Sequence, residues 1–512
     1  MSKTKARFLF KHQGNFVDGT FQLPSDPNGE WAAKSPADFS DEICKVRYSY
    51  SSIDDAVKAA RAAFHPWRRK TFAERAELLK KYQTAIRNRE EELIEAMARE
   101  VGKPVWEAKT EIVAMANKVD VAIGEGMRFV SDYGVPNIME NTHGACRYRP
   151  LGVLAVIGPF NFPGHLPNGH IVPALLTGNT VVFKPSEKAP MVGQLMAECF
   201  QEAGLPNGVF NLIQGEKEVG RRLCVHEKVD GVLFTGSYEV GTRIKQDTLQ
   251  QHWKLLALEM GGKNPAIVCE DAPMDVALYE TLVGAFLTAG QRCSATSRII
   301  VHRKILAQFV SAFHDRAKAF TIGHPLDNPF MGPLVEQGAV DRYMKFLGIA
   351  VREGCEMVMR GKSLEPGGPD KVQGCYVTPS ICVVKDSSVE AARKSVYQQT
   401  EMFAPNVAII PFDELDEAVA LANVTQYGLV ASVFTREKAS YEKCLDDLQM
   451  GLVNWNKSTV GASSRLPFGG LKKSGNHFPT AVQAAQYCTY PVASLEVAEP
   501  KMGTAFPGLN WS

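Results

Sequence analysis

A cysteine, a carboxylate and a side-chain amide occupy settings from which they could act together on a carbonyl group. Cys293 follows a Gly-Gln-Arg turn at the end of a mostly apolar segment, and Glu259 leads into a Gly-Gly turn. Asn161 lies in a proline-punctuated loop after an apolar run. A thiolate attacks a carbonyl carbon, an amide N–H stabilises the oxyanion that forms, and a carboxylate activates water. The three residues predict acyl chemistry, provided that the fold brings them together.

Each of these residues also has an ordinary interpretation when it is taken alone. A lone cysteine is usually a small buried hydrophobe, a lone asparagine a turn residue, and a lone glutamate a surface charge. His165 and His170 could be read as metal ligands, but no cluster of cysteines or acids accompanies them. We therefore expect no metal site, and we expect the two histidines to line a pocket.

The composition excludes several classes of protein. The 512 residues are enough for two or three domains, and the formal net charge of +1 gives no basic field for nucleic acid or a membrane surface. The eleven cysteines are an odd number without a C-x-x-C pair, which predicts reduced thiols and a cytoplasmic location. Residues 1–13 lack the apolar run of a signal peptide. We expect neither a nucleic-acid partner nor a membrane partner.

The hydrophobic pattern predicts a helical layer followed by two α/β blocks. Helices are expected to begin near Ser52, Thr71, Glu91 and Glu107. From residue 151 onwards, continuous apolar runs alternate with helical segments, which is the pattern of a parallel sheet. The predicted strands are 153–157, 180–183, 209–213 and 231–234 in the first block, and 265–268, 298–301 and 407–410 in the second. Segments 142–149 and 487–495 fit neither block.

Polar residues follow two of the predicted strands, at the sheet edge where parallel sheets bind ligands. After the second strand, Glu187 could accept hydrogen bonds from a ribose, and Lys184 could donate to it. After the fourth strand, Gly236, Ser237 and Gly241 could let a pyrophosphate approach a helix N-terminus. Both segments have alternatives, because the glycines could serve a packing turn and the lysine segment could be a solvated loop.

Several motifs, taken together and in order, resemble those of the aldehyde dehydrogenase superfamily. They are Asn161-Phe162-Pro163, Gly178-Asn179-Thr180-Val181-Val182, Lys184-Pro185-Ser186-Glu187, Phe234-Thr235-Gly236-Ser237, Leu258-Glu259-Met260-Gly261-Gly262, Gly290-Gln291-Arg292-Cys293, Glu401-Met402-Phe403-Ala404-Pro405 and Pro467-Phe468-Gly469-Gly470. Further stretches, at 164–171, 454–457, 461–464, 474–477 and 490–495, are most similar to members that oxidise N-succinylglutamate 5-semialdehyde. The likeness covers nearly the whole chain.

The resemblance implies an α/β fold in three parts, and a homodimer or homotetramer. The parts would be a Rossmann-like NAD-binding domain (1–130 and 151–261), an α/β catalytic domain (262–478) and a β-stranded oligomerisation arm (131–150 and 479–498), followed by a C-terminal tail (499–512).

The resemblance also implies a role for each site residue. Cys293 would be the nucleophile that forms a thiohemiacetal and then a thioester, Asn161 would hold the oxyanion with the Cys293 backbone N–H, and Glu259 would activate water. The cofactor contacts would be Phe160, Lys184, Ser186, Glu187, Phe234, Gly236, Ser237, Gly241, Glu401 and Phe403. The acid at Glu187 favours NAD, because a 2′-phosphate would meet its negative charge, while Lys184 leaves NADP possible.

The expected substrate is an anionic, amino-acid-derived semialdehyde, with N-succinylglutamate 5-semialdehyde of arginine catabolism as the form that the resemblance implies. The candidate contacts are Arg292, Lys457, Arg465 and His165. Each of the three cations could instead be a surface charge or a structural partner. Three alternatives remain for the function. The enzyme could oxidise another aldehyde, it could be a CoA-acylating enzyme, or the chain could be a non-enzymatic structural protein. Glu259 argues against the CoA-acylating enzyme.

Overall fold

The computed structural model describes residues 6–364, 373–502 and 506–509, and its N-terminal part combines short strands with a layer of helices. The elements are β1 (Asn15–Val17), β2 (Thr20–Gln22), β3 (Gly29–Lys34), β4 (Glu42–Tyr48), α1 (Ser51–Arg69), α2 (Phe72–Asn88), α3 (Glu90–Val101), α4 (Val105–Ile123), β5 (Tyr133–Met139) and β6 (Thr142–Pro150). Residues 1–5 of the predicted first domain, and 503–505 and 510–512 of the predicted tail, lie outside the described ranges.

The helices α1 to α4 begin within two residues of the predicted starts, and no side chain caps α1, whose N-cap is Tyr50. Thr71 caps α2, since its hydroxyl accepts from the Glu74 backbone N–H at 3.3 Å while the Glu74 carboxylate accepts from the Thr71 N–H at 2.7 Å. Helix α3 ends at Gly102, whose φ of 74° lies in the left-handed region. Helix α2 of this layer packs on the helix Pro190–Glu202, where the Tyr82 and Phe200 rings stack with centroids 3.7 Å apart.

The first α/β block forms the parallel sheet that its apolar runs predict. Its elements are β7 (Val153–Ile157), α5 (His165–Leu176), β8 (Thr180–Lys184), α6 (Pro190–Glu202), β9 (Phe210–Leu212), α7 (Lys217–Val225), β10 (Gly231–Thr235), α8 (Tyr238–Asp247) and β11 (Leu255–Glu259). The strand order is β11-β10-β7-β8-β9-β1-β2, parallel from β11 to β9 and antiparallel at β1 and β2. The predicted strands of this block are confirmed as β7 to β10.

The direction of winding reverses between β7 and β10. From β7 the chain builds outward through β8 and β9, and it then returns to place β10 and β11 on the other side of β7. The carboxyl ends of these strands therefore open a crevice at a topological switch point, which is where such sheets bind ligands.

Three features of this block differ from the prediction. The apolar pattern predicts a helical segment over 171–176, but α5 begins earlier, at His165. Pro167 is compatible with this first turn, because the N–H that proline lacks there would have no helical partner. Strand β11, which ends at Glu259, was not predicted. The N-terminal strands β1 and β2 join this sheet through Phe16 and Leu212.

The second block forms another, mostly parallel sheet. The elements are β12 (Asn264–Val268), α9 (Met274–Phe286), β13 (Thr296–His302), α10 (Leu306–Lys318), α11 (Gln337–Arg352), β14 (Glu356–Met359), β15 (Ser380–Val383), α12 (Val389–Lys394), α13 (Val396–Gln399), β16 (Asn406–Phe412), α14 (Leu415–Asn423), β17 (Tyr427–Gly428), β18 (Val430–Phe434), α15 (Lys438–Asp447), β19 (Leu452–Trp455), β20 (Pro467–Phe468), β21 (Leu471–Lys472), β22 (Thr480–Ala481), α16 (Ala484–Tyr487) and β23 (Thr489–Glu496). The strand order is β14-β15-β16-β13-β12-β18-β19, with only β14 antiparallel to its neighbour. The predicted strands are confirmed as β12, β13 and β16.

The two segments that fit neither block pair with each other. Strands β23 and β6 are antiparallel from Thr489 opposite Pro150 to Glu496 opposite His143, and β5 adds to the other edge of β6. Large apolar side chains are exposed on this sheet, namely Tyr133, Val135, Ile138, Met139, Tyr490, Val492 and Leu495. Within the described ranges, every helix is too short or too polar to cross a lipid bilayer.

Candidate active site

One cavity of about 200 Å³ brings Cys293 and Glu259 together. Its walls come from α4, α5, the ends of β10 and β11, the Cys293 loop and the loop at 461–464. The lining residues are Thr110, Glu111, Ala114, Lys118, Phe162, His165, Leu166, Gly169, His170, Thr235, Glu259, Met260, Arg292, Cys293, Ser294, Gly461, Ala462, Ser463, Ser464, Phe468, Thr480 and Ala481. The thiol and the carboxylate identified from the sequence therefore face the same space.

The turn that precedes Cys293 has a strained backbone. Residues 288–290 have φ values of 55°, 53° and 70°, in the left-handed region that disfavours residues with a Cβ. A Cβ at Gly290 would lie 2.3 Å from the carbonyl oxygen of Ala404, so only glycine fits there. Asn264, at the start of β12, fixes the other side of the nucleophile loop, because its Nδ2 donates to the Cys293 carbonyl oxygen at 2.7 Å.

A buried carboxylate on α4 holds this strained turn. The Oε2 atom of Glu107 accepts from the Thr288 backbone N–H at 3.2 Å, and its Oε1 accepts from the Thr288 hydroxyl. Arg292 donates to the same Oε1 at 2.5 Å and to the Thr288 hydroxyl at 2.8 Å. Burial alone would raise the pKa of Glu107, but the charges of Arg292 and Lys103 outweigh it and lower the pKa, so the carboxylate is ionised.

A second buried ion pair positions the loop that carries Asn161. The ammonium of Lys103 pairs with Glu111, donates to the main-chain oxygen of Asn161 at 2.7 Å, and lies 3.8 Å from the centre of the Phe162 ring. Glu111 in turn accepts from two backbone N–H groups at the N-terminus of α5, at 2.9 and 3.0 Å. A carboxylate there satisfies donors that have no helical partner.

The Asn161 side chain reaches the nucleophile loop directly. It is 5% exposed, and its Nδ2 donates to the main-chain oxygen of Gln291 at 2.9 Å. An amide nitrogen carries two N–H groups, so a second donor is present beside this bond. The structure thus places the predicted oxyanion donor against the turn that leads into Cys293.

Burial raises the pKa of both Glu259 and Cys293. Within the described residues, Oε2 of Glu259 has no hydrogen-bond partner, and burial raises the pKa of this carboxyl well above its ordinary value. Burial also raises the pKa of the Cys293 thiol to about 12, and the charges of Glu401 and Glu259 act in the same direction. Gly469 leaves the carboxyl room, since a Cβ there would lie 3.0 Å from Glu259 Oε1.

A neutral hydrogen-bond chain forms another wall of the cavity. The Tyr487 hydroxyl donates to Thr480 at 3.1 Å, so its oxygen accepts from Nδ1 of His170 at 2.8 Å, and Nε2 of His170 accepts from the Thr235 hydroxyl at 3.1 Å. Burial first, and then the charge of Lys118, lower the pKa of His170 to about 3. Both ring nitrogens of His170 are therefore engaged in a neutral ring.

Predicted cofactor residues lie at the carboxyl end of β8. The buried ammonium of Lys184 donates to the Pro185 carbonyl oxygen at 2.7 Å and lies 3.7 Å from the Glu187 carboxylate. Burial lowers the pKa of Lys184, and the charge of Glu187 opposes this shift. Ser186 accepts from the Lys188 backbone N–H at 3.2 Å.

A second group of predicted cofactor residues lies at the carboxyl end of β10. Ser237 caps α8, where its hydroxyl accepts from a backbone N–H of the first turn at 3.3 Å. A Cβ at Gly236 would lie 2.4 Å from the ring of Phe234, and one at Gly241 would lie 2.4 Å from the sulphur of Met260. A side chain at either glycine would force the neighbouring Phe234 or Met260 side chain to shift.

Two further predicted cofactor residues come from the second block. Glu401 lies against a tight turn, where it accepts from the Gly262 backbone N–H at 2.9 Å and where a Cβ at Gly261 would lie 1.8 Å from its Oε2. Burial raises the pKa of Glu401 to about 7. Phe403 packs edge-on against Phe160, with ring centroids 5.8 Å apart. The two blocks therefore meet where the loops after β7 and before β16 come together.

The predicted substrate residues do not all reach the cavity. His165 and Arg292 line it, but the Arg292 guanidinium is already bonded to Glu107. Lys457 and Arg465 are 76% and 71% exposed, each pairs with a glutamate, and neither is among the described lining residues. The structure thus favours a structural role for Arg292 and surface positions for the other two.

The charged face of α4 was not predicted. Glu107, Glu111 and Lys118 recur at helical spacing among apolar residues, and this periodicity is the signal that could have placed them on one side of the helix. Lys118 is 4% exposed, and in the described part of the chain no hydrogen bond or ion pair engages it. Burial lowers the pKa of Lys118 to about 8.

Comparisons with known proteins find relatives over almost the whole chain. The model of the Aldehyde dehydrogenase family matches residues 24–491. An N-succinylglutamate 5-semialdehyde dehydrogenase of Burkholderia multivorans is 38% identical over 509 residues, which are 97% of this chain and 99% of that protein. Another protein of the same name, from Novosphingobium aromaticivorans, is 38% identical over 457 residues, with 89% and 94% of the two chains covered.

Solved structures share the fold. An NAD-dependent aldehyde dehydrogenase from Sinorhizobium meliloti superposes with a TM-score of 0.90 at 28% identity, over 97% of each chain. The betaine aldehyde dehydrogenase of Staphylococcus aureus in complex with NAD+ superposes with a TM-score of 0.89 at 27% identity, over 96% of this chain and 95% of that one.

Replacing Glu107 by Gln is expected to lower both thermal stability and activity, because it leaves the Arg292 charge buried without its partner. Breaking a buried pair costs about 3–5 kcal/mol, whereas removing both charges is often close to neutral. The double variant Glu107→Gln with Arg292→Met should therefore lose less stability than the sum of the single variants. Thermal unfolding of the four proteins measures this coupling, and additive losses would contradict it.

Replacing Glu259 by Gln is expected to accelerate alkylation of Cys293 at alkaline pH. The charge of the Glu259 carboxylate opposes ionisation of the thiol, so the variant without this charge has more thiolate at a given alkaline pH. Iodoacetamide labelling of the Cys293 peptide, followed by mass spectrometry from about pH 7 to about pH 10, measures the rates. Cys293→Ala is the control for other thiols, and a slower reaction in Glu259→Gln would disprove the repulsion.

Proposed function

Because this chain belongs to the aldehyde dehydrogenase family, we propose that its cavity oxidises N-succinylglutamate 5-semialdehyde to N-succinylglutamate with NAD. The family establishes that the enzyme oxidises an aldehyde with a nicotinamide dinucleotide. The observation that carries the proposed mechanism is the shared cavity of Cys293 and Glu259. The choice of substrate is supported by relatives of that name that match almost the whole chain.

Cys293 is the nucleophile in this mechanism. Its thiolate attacks the aldehyde carbon and forms a thiohemiacetal, whose oxyanion accepts hydrogen bonds from the Asn161 side chain and from the Cys293 backbone N–H. The Asn161–Gln291 hydrogen bond joins the Asn161 loop to the strained turn before Cys293. This bond keeps the side-chain donor and the backbone donor on adjoining loops. Collapse of the thiohemiacetal with loss of hydride leaves a thioester on the sulphur.

Glu259 is the general base that releases the acid. A carboxyl whose pKa is raised by burial holds a proton more tightly once it has taken it from water, so it is a stronger base than an exposed glutamate. Its unpartnered Oε2 lies in the same cavity as the thioester sulphur and can activate a water molecule. Water, and not CoA, then accepts the acyl group, which is the argument against the CoA-acylating alternative.

The residues at the topological switch point fit a dinucleotide. Lys184 and Glu187 at the end of β8 would bind the ribose on the adenine side, and Ser237 at the start of α8 would bind the pyrophosphate. Glu401 and Phe403 would contact the nicotinamide side. When bound, the nicotinamide accepts the hydride. We propose NAD over NADP, since the half-exposed Glu187 carboxylate would face a 2′-phosphate.

The antiparallel arm is proposed to join copies of this chain into a dimer or tetramer. Apolar side chains of β5 and β23 are exposed on it, and contiguous exposed apolar surface of this kind marks interfaces. A monomer in sedimentation analysis would contradict this assignment. The eleven cysteines, free in the described residues, support a reducing, cytoplasmic location.

Glu259→Gln is expected to stop the reaction at the thioester. NADH should form once per active site and then cease, with kcat lowered about 10²–10⁴-fold, because no base activates the water. Intact-protein mass spectrometry should detect an acyl adduct that Cys293→Ala lacks. Sustained NADH production by Cys293→Ala would disprove the catalytic scheme, and full turnover by Glu259→Gln would remove the proposed base.

The substrate is tested by steady-state kinetics on a panel of aldehydes without CoA. We expect kcat/KM for N-succinylglutamate 5-semialdehyde to exceed that for a neutral aldehyde of similar length at least about tenfold, because a site built for a charged group discriminates against analogues that lack it. Equal values would refute the proposed substrate, and dependence on CoA would refute hydrolysis. The same panel with NAD and NADP measures the cofactor preference.

A further inference from the structure

We propose that Lys118, on the cavity face of α4, binds a carboxylate of the aldehyde substrate and is the residue that selects anionic semialdehydes. This inference rests on the proposed function for the identity of the substrate. It assigns the selection to a residue that lies far from Cys293 in sequence, and not to the cations that adjoin the substrate loops.

The position of Lys118 is set by the helix that carries it. Thr110, Ala114 and Lys118 follow one another at intervals of one helical turn, and all three line the cavity. Opposite the lysine stands Gly169 of α5, where a Cβ would lie 3.6 Å from Cε and 3.8 Å from Nζ of Lys118. The ammonium of Lys118 therefore lies beside Gly169 on the wall of the cavity.

Lys118 differs from the other cations near the site because its charge is not compensated. Arg292 pairs with Glu107, and Lys103 pairs with Glu111, within hydrogen-bonding distance in each case. For Lys118, the described residues contain no such acid, and burial is the one cause that shifts its pKa. An ammonium buried without a counter-ion is costly, so a bound carboxylate would be stabilised by replacing the missing partner.

His165 supplies a second polar group on the same side of the cavity. Its Nδ1 has no hydrogen-bond partner among the described residues, and burial together with the charge of Lys118 lowers the pKa of His165 to about 3. The ring is therefore neutral and carries one N–H donor. A neutral donor beside a single ammonium suits a carboxylate. The donor gives the carboxylate a hydrogen bond without placing a second positive charge next to Lys118, which would repel the first.

The experiment compares Lys118→Met with the wild-type enzyme on N-succinylglutamate 5-semialdehyde, succinate semialdehyde and a neutral aldehyde such as hexanal. We expect KM for the anionic substrates to rise at least about tenfold in Lys118→Met, with kcat changed less than about threefold, because the lost contact is remote from the reacting carbon. The kcat/KM for hexanal should stay within about twofold. Lys118→Arg should recover part of the preference for anionic aldehydes, since it restores the charge.

Two controls separate recognition from a structural role. Lys58→Met removes one positive charge from the exposed face of α1 and should leave all three substrates unaffected. Thermal unfolding of Lys118→Met should show equal or higher stability than the wild type, because the variant removes an uncompensated buried charge. Lower stability with an equal loss of activity on every aldehyde would overturn the proposal in favour of a structural lysine.

Failure of this inference is distinguishable from failure of the proposed function. If the wild type prefers N-succinylglutamate 5-semialdehyde and Lys118→Met keeps that preference, the proposed function stands and the role of Lys118 is refuted. If the wild type prefers succinate semialdehyde and Lys118→Met loses that preference, the proposed substrate is wrong and the role of Lys118 is supported. If the wild type does not distinguish anionic from neutral aldehydes, both are refuted.

Discussion

The ionised carboxylate of Glu107 is the constraint on which the cavity depends. The backbone before Cys293 occupies the left-handed region at consecutive residues, which an isolated peptide would not maintain. Glu107 compensates by accepting from both the N–H and the hydroxyl of Thr288, and Arg292 keeps this carboxylate charged in a buried setting. The loop that carries Cys293 is therefore held by a charge on α4, a helix of the N-terminal layer and of neither α/β block.

The same helix explains why most charges near the site are unavailable to a substrate. Each buried acid on α4 has a cation that it neutralises, and each of these pairs also holds a loop, one before Cys293 and one around Asn161. Buried pairs of this kind cost desolvation, and their benefit here is the orientation of loops that would otherwise relax. Only a cation that does not pair with one of these acids is available to bind a ligand that enters the cavity from solvent.

The sequence predicted the central strands of the two sheets, but it did not predict which charged residues pair with each other. Strands such as Val153–Ile157 were predictable because a strand buried on both faces must be continuously apolar. Strand β11 was missed because it is an edge strand whose first two residues are only partly buried, so its buried run is short. The cations Arg292, Lys457 and Arg465 were assigned to the substrate because sequence proximity to a motif is visible, whereas pairing with Glu107, Glu280 and Glu125 requires the tertiary fold. The domain boundaries and the catalytic roles remain predictions.

Tyr487 connects the wall of the cavity to the arm strand β23. Its hydroxyl bonds to His170 in the cavity wall, and its backbone ends the short helix α16, which leads directly into the arm strand β23. Tyr487 therefore links the start of the arm strand to a histidine of the cavity wall. A substitution that displaces β23 would move the hydrogen-bond partner of His170, so the sequence of the arm constrains the wall of the cavity.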